Sequence, residues 1–296
     1  MSKKSNIIVA LIYDFDGTLS PGNMQEFGFI EAVKKNPKEF WTENSKLSND
    51  NDADQILTYM YLMMQKAISE KISLKREQFQ EFGKDVKLFK GVEEWFVLIN
   101  EYAKNNGITI EHYINSSGLA EIIEGTPIAR EFKKIFACSY LYDVDGKAYW
   151  PGVAVNYTTK TQFLFKINKG IESVADSIGV NRYTKKEDRR IPFSRMVYFG
   201  DGETDVPCMK LVKEMGGHSI AVYQPGNSNK KQRSENLIAE NRVNFVCPAD
   251  YSRNKEIYKV VTTILDKIKA DFDFQCLLNQ HKMKTVLIRH PFTDIK

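Results

Sequence analysis

The sequence predicts an α/β fold: a doubly wound, mostly parallel, Rossmann-like sheet with a small helical cap domain inserted after the first strand. Three observations support this prediction. Short β-branched runs alternate with helical patterns along most of the chain, as in sheets whose strands are joined by crossover helices. A long region without strand patterns separates the first strand from the others. Polar residues follow the predicted strands, at the edge of the sheet where such folds place their sites.

The first strand covers residues 6–13, an uninterrupted apolar run with β-branched residues that predicts a strand buried on both faces. It leads directly into the sequence DFDGTL at residues 14–19, where Asp14 and Asp16 stand one residue apart. The turn-forming cluster SPGN at residues 20–23 then ends the pattern. Two carboxylates at the end of a buried strand concentrate negative charge at the edge of the sheet.

The region after the first strand shows helical patterns and no strand pattern. Asp52 and Asp54 are candidate N-caps for a helix whose apolar residues recur at helical spacing. Those apolar residues are Ile56, Tyr59, Met60, Met63, Met64 and Ala67. We therefore predict a core domain formed by residues 1–20 and 88–296, and a helical cap domain at residues 21–87.

The rest of the chain alternates between helix and strand. In order, the patterns predict a helix from Gly91 to about Asn105, a strand from Ile108 towards Ser116, a hairpin at 140–155 with its turn at Asp145-Gly146, a helix at 161–171, strands at 196–199, 219–223 and 244–246, and a final helix at 255–269. The tail after about residue 271 has no assigned role, and residues 285–288 are a candidate short strand.

Composition and charge argue against several classes of protein. The net charge of +4 is small for 296 residues, and the basic runs are interrupted by acidic and polar residues, which argues against nucleic-acid binding. No apolar run reaches the roughly 20 residues that span a bilayer, and the start of the chain lacks a signal-peptide pattern. The four scattered cysteines are typical of reduced, buried thiols. We expect a cytoplasmic protein that binds neither nucleic acid nor membranes; its oligomeric state stays open.

Carboxylates follow two of the predicted strands. Asp14 and Asp16 follow the first strand, and Asp201 and Asp205 follow the strand at residues 196–199. Because the carboxyl ends of parallel strands share one edge of a sheet, we expect these four side chains to converge. A hard cation would relieve their mutual repulsion, and Mg²⁺ prefers carboxylate oxygens together with water and a substrate phosphate. The sequence therefore predicts a magnesium site.

A hydroxyl and a lysine complete the predicted site. Ser116 ends a strand, and Lys160 at the start of a helix supplies a fixed positive charge. With backbone amides at a helix start, these groups would form an anion site suited to a phosphoryl group. Alternatives remain for both residues, because Ser116 could instead cap the next helix and Ser117 is adjacent. Lys166 and Lys169 are likewise near Lys160 and are more typical of a solvated helix face.

These segments resemble the four motifs of the haloacid dehalogenase superfamily of phosphohydrolases. The first motif, Asp-x-Asp-Gly-Thr, is similar to residues 14–18, and the fourth, Gly-Asp-Gly-x-x-Asp, is similar to residues 200–205. The second motif, a strand that ends in Ser or Thr, resembles residues 113–116, and the third, a lysine that opens a helix, is matched by Lys160. The motifs occur in the expected order and cover most of the chain.

The resemblance implies a role for each matching residue. Asp14 would be the nucleophile and a metal ligand, and Asp16 would act as general acid and then general base, with its backbone carbonyl on the metal. Asp16 also favours phosphate esters over halides, because a phosphatase must protonate its leaving group. The other residues serve the phosphoryl group and the metal site: Ser116 and Lys160 would hold the phosphoryl group, Asp201 would bind Mg²⁺, and Asp205 would orient a bound water or Lys160.

The helical insert and the hairpin near residues 138–155 resemble the cap and the flap of the phosphoserine-phosphatase-like branch. In the superfamily the cap closes over the site and selects the substrate. That branch also carries a glutamate nine positions after its nucleophile, where this chain has Asn23, and Glu26 is out of register. The resemblance therefore supports the branch and does not support phosphoserine as the substrate.

The resulting hypothesis is a Mg²⁺-dependent phosphatase that hydrolyses a small phosphorylated metabolite through an aspartyl-phosphate intermediate. Two alternatives share its residues. The first is phosphoryl transfer to an acceptor alcohol instead of water, and the second is a protein that binds a phosphometabolite without turnover. No motif carboxylate is missing, which argues against the second alternative.

Overall fold

The computed structural model describes residues 7–289, with side chains described for residues 7–283. Within this range one sheet contains seven strands, in the spatial order β4-β3-β2-β1-β5-β6-β7. The strands are β1 (Ile7–Tyr13), β2 (Ile108–Leu119), β3 (Lys134–Tyr142), β4 (Ala148–Val153), β5 (Met196–Gly200), β6 (His218–Tyr223) and β7 (Phe245–Pro248). All neighbouring strands are parallel except the β3–β4 hairpin. The prediction of a mostly parallel, doubly wound α/β sheet is confirmed.

Helices connect the strands and cover the sheet. They are α1 (Phe29–Ala32), α2 (Pro37–Asn51), α3 (Gln55–Ser69), α4 (Arg76–Gly83), α5 (Val92–Asn105), α6 (Ala120–Glu124), α7 (Thr161–Lys169), α8 (Ser177–Asn181), α9 (Val206–Glu214), α10 (Ser228–Ala239) and α11 (Glu256–Arg289). None of the helices in the described part of the chain is long and apolar enough to cross a membrane.

Strand β1 lies in the middle of the sheet, where the chain changes direction. The chain first builds outward through β2, β3 and β4, then returns to the other side of β1 with β5. The crevice at such a switch point is where open α/β sheets place their sites. Strands β1 and β5 end beside each other, because Tyr13 pairs with Phe199 in the parallel ladder. The Asp14 backbone N–H also donates to the Phe199 carbonyl at 2.9 Å. Two of the predicted motifs therefore begin side by side.

Strand β2 loses its regular pairing where the second motif lies. Its register with β3 shifts between Asn115 and Leu119, so the segment 116–118 departs from the regular ladder. Helix α6 then begins with Leu119 as its N-cap, and no side chain caps it. Ser116 and Ser117 therefore do not cap this helix, which removes the structural alternative for Ser116.

The insert between β1 and α5 is helical. Residues 21–87, all within the described range, contain α1 to α4 and no sheet strand. Asp54 caps α3, because its Oδ1 accepts from the backbone N–H groups of Ile56 at 2.8 Å and Leu57 at 3.0 Å. The prediction that Asp52 could be an N-cap is wrong: Asp52 ends α2 in the left-handed conformation, with φ of 48°. The division into two domains, with boundaries at 20/21 and 87/88, stays a prediction.

Helix α4 ties the insert to the sheet through a close backbone contact with α6. A Cβ added to Gly83 would lie 2.1 Å from the Ile122 carbonyl oxygen, and one added to Gly125 would lie 1.8 Å from the Gln80 carbonyl oxygen. Glycine is required at both positions, since a side chain would collide with backbone. The insert is therefore packed closely against α6, the helix that follows β2.

The last helix is much longer than the sequence predicted. Helix α11 has 34 residues and continues beyond residue 269 to Arg289, so the candidate strand at residues 285–288 is wrong. Pairs four residues apart support the extension, with Lys267 bound to Asp271 at 2.5 Å and Lys269 paired with Asp273. Residues 270–283 of this helix are mostly exposed to solvent, in contrast to the buried positions of its first half.

A buried polar chain lies directly behind the first motif. The Trp95 indole N–H donates to the Tyr13 hydroxyl at 2.9 Å, and Tyr13 bonds His112 Nδ1 at 3.1 Å. His112 Nε2 bonds Asn100 Oδ1 at 3.0 Å. Because an amide oxygen only accepts, Nε2 carries the proton, and Nδ1 of the neutral ring accepts from Tyr13. Burial lowers the pKa of His112 from its ordinary 6.5 to about 3, in agreement with a neutral ring.

Stability should therefore fall in acid partly through His112. His112 stays neutral in the folded protein, whereas the same histidine in the unfolded chain takes up a proton below its ordinary pKa of 6.5. Protonation therefore favours the unfolded chain, and the free energy of unfolding decreases as the pH falls from 6.5 towards 3. Between about pH 7 and pH 5 we expect the wild type to lose about 2 kcal/mol more unfolding free energy than His112→Asn. Urea unfolding at both pH values measures this difference. Equal losses in the two proteins would contradict a neutral His112.

Candidate active site

A buried lysine joins the first and fourth motifs. The Lys160 ammonium group donates to Asp14 Oδ1 at 3.0 Å and to Asp205 Oδ1 at 2.6 Å. Lys160 and Asp205 are fully buried, and Asp14 is nearly so. A buried charge is costly unless it is paired, so each of the two carboxylates is stabilised by its contact with Lys160, and Lys160 by its contacts with both.

The Asp205 carboxylate is held from two sides. Its Oδ1 also accepts from the Tyr198 hydroxyl at 2.8 Å, while its Oδ2 is buried with no hydrogen-bond partner among the described residues. Gly200 makes room for this side chain, since a Cβ there would lie 2.5 Å from Asp205 Cγ. A fixed carboxylate with one free buried oxygen is suited to accept from a further donor or to bind a cation.

Asp201 lies against the turn of the first motif. Gly17 has a φ of 76°, and a Cβ at this position would lie 2.0 Å from Asp201 Oδ2. The side chains of Asp14, Asp201 and Asp205 each offer an oxygen, and these three atoms lie within 4.8 Å of one another. Hard cations such as Mg²⁺ take carboxylate oxygens of this kind, so the cluster fits the predicted cation.

Asp16 is oriented by the beginning of the insert. Its Oδ1 accepts from the backbone N–H of Met24 at 2.8 Å, in the short 3₁₀ turn Met24–Glu26. Its Oδ2 lies on the side of Gly118, where an added Cβ would be 3.2 Å away. The carboxyl group therefore has one oxygen fixed by the insert and the other near the second motif.

Both serines of the second motif line the site. Ser116 is fully buried, and its Oγ accepts from the Gly118 backbone N–H at 3.1 Å. The Ser117 Oγ is buried without a hydrogen-bond partner among the described residues, and its carbonyl accepts from Tyr59 at 2.8 Å. Ser116 thus lies where the sequence predicted a phosphoryl-binding hydroxyl, and Ser117 supplies a second hydroxyl beside it.

The position of Lys160 depends on contacts that precede its helix. Lys160 ends the short 3₁₀ turn Tyr157–Lys160, which Asn156 caps at its start, and the Asn115 side chain donates to the Lys160 carbonyl at 3.1 Å. Asn156 in turn donates to Asp54 of the insert. The turn therefore has partners in both β2 and α3.

The neighbouring lysines lie elsewhere. Lys166 Nζ donates to the carbonyls of Ser173 at 2.9 Å and Asp176 at 2.8 Å. Lys169 Nζ donates to two further carbonyls, of Val180 and Arg182, at the end of α8. Neither contacts the carboxylates of the site, so of the three candidates the structure brings only Lys160 to the motif residues.

Excess negative charge raises the proton affinity of the site. Burial and then the charge of Asp205 raise the pKa of Asp14 to about 6, although Lys160 opposes this. Burial and the charges of Asp14 and Asp205 raise the pKa of Asp201 to about 7. The pKa of Asp16 rises well above its usual range, through burial and then the charge of Asp14. For Lys160, burial would lower the pKa, but the two carboxylates outweigh it and raise the pKa.

A cavity of about 370 Å³ adjoins these groups. Its floor includes Asp14, Asp16, Asp201 and the serines of the second motif, and its other wall comes from the insert. The lining residues from the insert are Asn23, Gln25, Trp41, Asn44, Ser45, Gln55, Ile56 and Tyr59. This volume lies in the range of about 300–1,000 Å³ that small-molecule sites occupy.

Several residues of the site were missed by the sequence analysis. Tyr198 was interpreted only as part of a buried strand, although a buried tyrosine hydroxyl requires a partner and this one holds Asp205. Asn115 and Asn156 position Lys160, and the Asn115 Oδ1 has no partner among the described residues. An asparagine within a β-branched strand was the available signal for Asn115, since a buried amide must be hydrogen-bonded.

With this geometry established, comparison with known proteins identifies the family. Residues 11–210 match the family model of the haloacid dehalogenase-like hydrolases. The match covers more than half of the chain, and the protein belongs to the haloacid dehalogenase-like hydrolase family, as its four motifs predicted. An uncharacterized protein of Borreliella burgdorferi is 30% identical to this chain over an alignment of 300 residues. The alignment covers 90% of this chain and 99% of that protein.

Solved structures share the fold at lower identity. A probable phosphoserine phosphatase from Vibrio cholerae is 12% identical with a TM-score of 0.51, over 88% of this chain and 65% of that chain. A protein of unknown function from Bordetella pertussis is 16% identical with a TM-score of 0.50, over 82% of this chain and 99% of that chain. At these identities the likeness shows the fold alone.

The contact between Gly17 and Asp201 can be tested with a matched pair of glycines. Gly17 and Gly146 both have positive φ, of 76° and 74°, but a Cβ on Gly146 would meet nothing within 4 Å. Both alanine substitutions should lower the free energy of unfolding by roughly 1–2 kcal/mol, because a residue with a Cβ is strained in the left-handed conformation. Gly17→Ala must in addition displace the Asp201 carboxylate, and we expect it to cost at least about 1 kcal/mol more. Denaturant unfolding compares the variants, and equal costs would contradict the observed contact.

Proposed function

We propose that this protein is a Mg²⁺-dependent phosphatase that hydrolyses a small-molecule phosphomonoester through an aspartyl-phosphate intermediate on Asp14. One observation carries the proposal above all: Lys160 contacts Asp14 and Asp205 at the end of two adjacent strands, beside a cavity that Asp14 lines. A fixed cation beside a carboxylate nucleophile is what a phosphoryl group requires, because its transfer depends on positioning and charge neutralisation.

The cation would be held by the carboxylate cluster. Asp14 and Asp201 would bind it directly, together with the Asp16 backbone carbonyl, and Asp205 would complete the site from its free Oδ2. When bound, Mg²⁺ would neutralise charge on the phosphoryl oxygens and on the carboxylates. The raised pKa values of Asp14 and Asp201 support this assignment, since burial and then the charges of neighbouring carboxylates disfavour the ionised forms, and a cation would relieve both effects.

In the first half of the reaction, an Asp14 carboxylate oxygen attacks the phosphorus atom and the ester P–O bond breaks. The departing oxygen takes a proton from the Asp16 carboxyl group. The raised pKa of Asp16 supports this role, because burial and the charge of Asp14 favour the protonated form that a general acid needs. Lys160 and Ser116 would hold the phosphoryl oxygens, with Ser117 as a further donor.

In the second half, the Asp16 carboxylate takes a proton from water, and the resulting hydroxide attacks the phosphorus of the aspartyl-phosphate. The Asp14–phosphate bond breaks, which releases phosphate and restores both carboxyl groups. The hydrogen bond from Met24 to Asp16 keeps this group aimed during both halves. We propose that residues 21–87 act as a cap that also excludes bulk water from the cavity.

The nucleophile can be tested by removing its charge without changing its shape. Asp14→Asn should abolish Mg²⁺-dependent release of phosphate from p-nitrophenyl phosphate, because an amide cannot form the acyl phosphate. Asp145→Asn, an exposed residue in the β3–β4 turn, serves as the control and should retain wild-type activity. Circular dichroism would verify that both variants fold. Full activity in folded Asp14→Asn would disprove the assignment.

The acid role of Asp16 predicts a dependence on the leaving group. Asp16→Ala should lower kcat/KM for an alkyl phosphate by about 10²–10⁴-fold, because an alkoxide must be protonated as it departs. The loss should be much smaller for p-nitrophenyl phosphate, whose phenolate departs without a proton. Steady-state kinetics with both esters measures the ratio of the losses. Equal losses for the two esters would exclude Asp16 as the general acid.

A further inference from the structure

The cavity wall supplied by the insert is polar but uncharged. Apart from the three carboxylates at its floor, the residues that line the cavity include no acidic and no basic side chain; all of them lie within the described range. The two basic side chains that reach the floor are already paired: Lys160 contacts Asp14 and Asp205, and Lys230, which lines a neighbouring groove beside α10, lies 3.7 Å from Asp201. The wall itself offers no cation, so a negative charge on the leaving group would have no partner of its own there, which costs free energy.

Two amide side chains in this wall have unused acceptors. Gln25 is 1% exposed and Asn44 is 4% exposed, and each has a buried side-chain oxygen that accepts no hydrogen bond from the described residues. The Asn44 amide is held in place, since its Nδ2 donates to the Gln55 carbonyl at 3.2 Å. A buried acceptor without a partner is costly, so these oxygens favour a ligand that brings hydroxyl donors.

Two aromatic side chains give the same wall flat apolar surfaces. The rings of Trp41 and Tyr59 lie 6.1 Å apart at 72°, and each is fixed by its polar atom. The Trp41 N–H donates to Glu26 at 2.8 Å, and the Tyr59 hydroxyl donates to the Ser117 carbonyl. Rings whose polar atoms are already bonded offer apolar contact to the carbon skeleton of a ligand.

We infer that the leaving group is an uncharged, polyhydroxylated alcohol, so that the substrate is a sugar phosphate or a similar polyol phosphate. This inference rests on the proposed phosphatase function and narrows its substrate class. Hydroxyl groups satisfy Gln25 and Asn44, the carbon skeleton packs against the rings, and no charge has to be balanced. A cationic leaving group would find no partner in the wall, because Glu26 already bonds Asn23 and Trp41 and does not line the cavity. The carboxylates of the floor are those that the proposed function assigns to the cation and to the reaction.

A matched set of phosphate esters tests the substrate class. Ribose phosphate, glucose phosphate and glycerol phosphate represent uncharged polyols; phosphoglycerate and phosphoserine carry a carboxylate; phosphoethanolamine carries an ammonium group. We expect kcat/KM for the best polyol ester to exceed that of every charged ester by at least about tenfold. A preference for phosphoglycerate, phosphoserine or phosphoethanolamine would overturn the inference.

The same set distinguishes failure of the inference from failure of the proposed function. Hydrolysis of p-nitrophenyl phosphate reports the chemistry, whatever the natural leaving group. If that ester is not cleaved, the phosphatase proposal fails, and thermal stabilisation of the Mg²⁺-loaded protein by the same esters still tests the binding preference. Stabilisation by polyol phosphates alone would support the inference, and stabilisation by the charged esters would contradict it.

A charge introduced at Asn44 should redirect the preference. Asn44→Lys places a cation in the wall, and we expect the ratio of kcat/KM for ribose phosphate over phosphoglycerate to fall at least about tenfold. Asn51→Lys, an exposed change at the end of the same helix, is the control and should leave the ratio unchanged. Activity with p-nitrophenyl phosphate shows that each variant folds. An unchanged ratio in active Asn44→Lys would mean that this wall does not contact the leaving group.

Discussion

The structure depends on one buried ion cluster, in which Lys160 is shared between Asp14 and Asp205. Removing these charges from water is costly, and only close pairing compensates for the cost. The surrounding structure therefore fixes the lysine and the carboxylates on separate elements. Asn115 holds the lysine backbone, Tyr198 holds Asp205, and pairing of β1 with β5 brings Asp14 to both. The carboxyl edge of the sheet is built around this cluster.

The cluster does not balance its charge, and the chemistry follows from that. One lysine contacts two carboxylates, while Asp16 and Asp201 add further negative charge. Burial and then this mutual repulsion raise the pKa values of Asp14, Asp16 and Asp201. A divalent cation is the natural complement to this excess. The two carboxyl groups of the first motif differ in their surroundings, because Asp14 lies beside Lys160 while Asp16 has no contact with it, and this difference supports the separate roles proposed for them.

The insert lines the cavity and also contacts residues of the motifs. Its first turn orients Asp16 through the Met24 backbone, and Asp54 at the start of α3 bonds Asn156, which begins the turn that carries Lys160. Its polar wall faces the carboxylates across the cavity. Any movement of the insert would thus affect Asp16, the turn that carries Lys160 and the cavity wall together. Under the proposed function, this coupling would let a region outside the sheet contact the substrate and position the reacting groups at the same time.

The sequence by itself determined the alternation of strands and helices, the helical character of residues 21–87 and the four motifs with their carboxylates, because strand and helix periodicity and turn chemistry are local properties. It also singled out Lys160 among three lysines, by its place at a helix start. Only the tertiary structure decided which atoms meet: Lys160 and Asp14 are 146 residues apart, and Lys160 and Asp205 are 45 apart. It likewise decided that Asp54 and not Asp52 caps α3, that α11 continues to Arg289, and that Gln25 and Asn44 line the cavity. Contacts between distant segments depend on how the helices pack and on the register in which the strands pair. A pattern over a few neighbouring residues does not determine either.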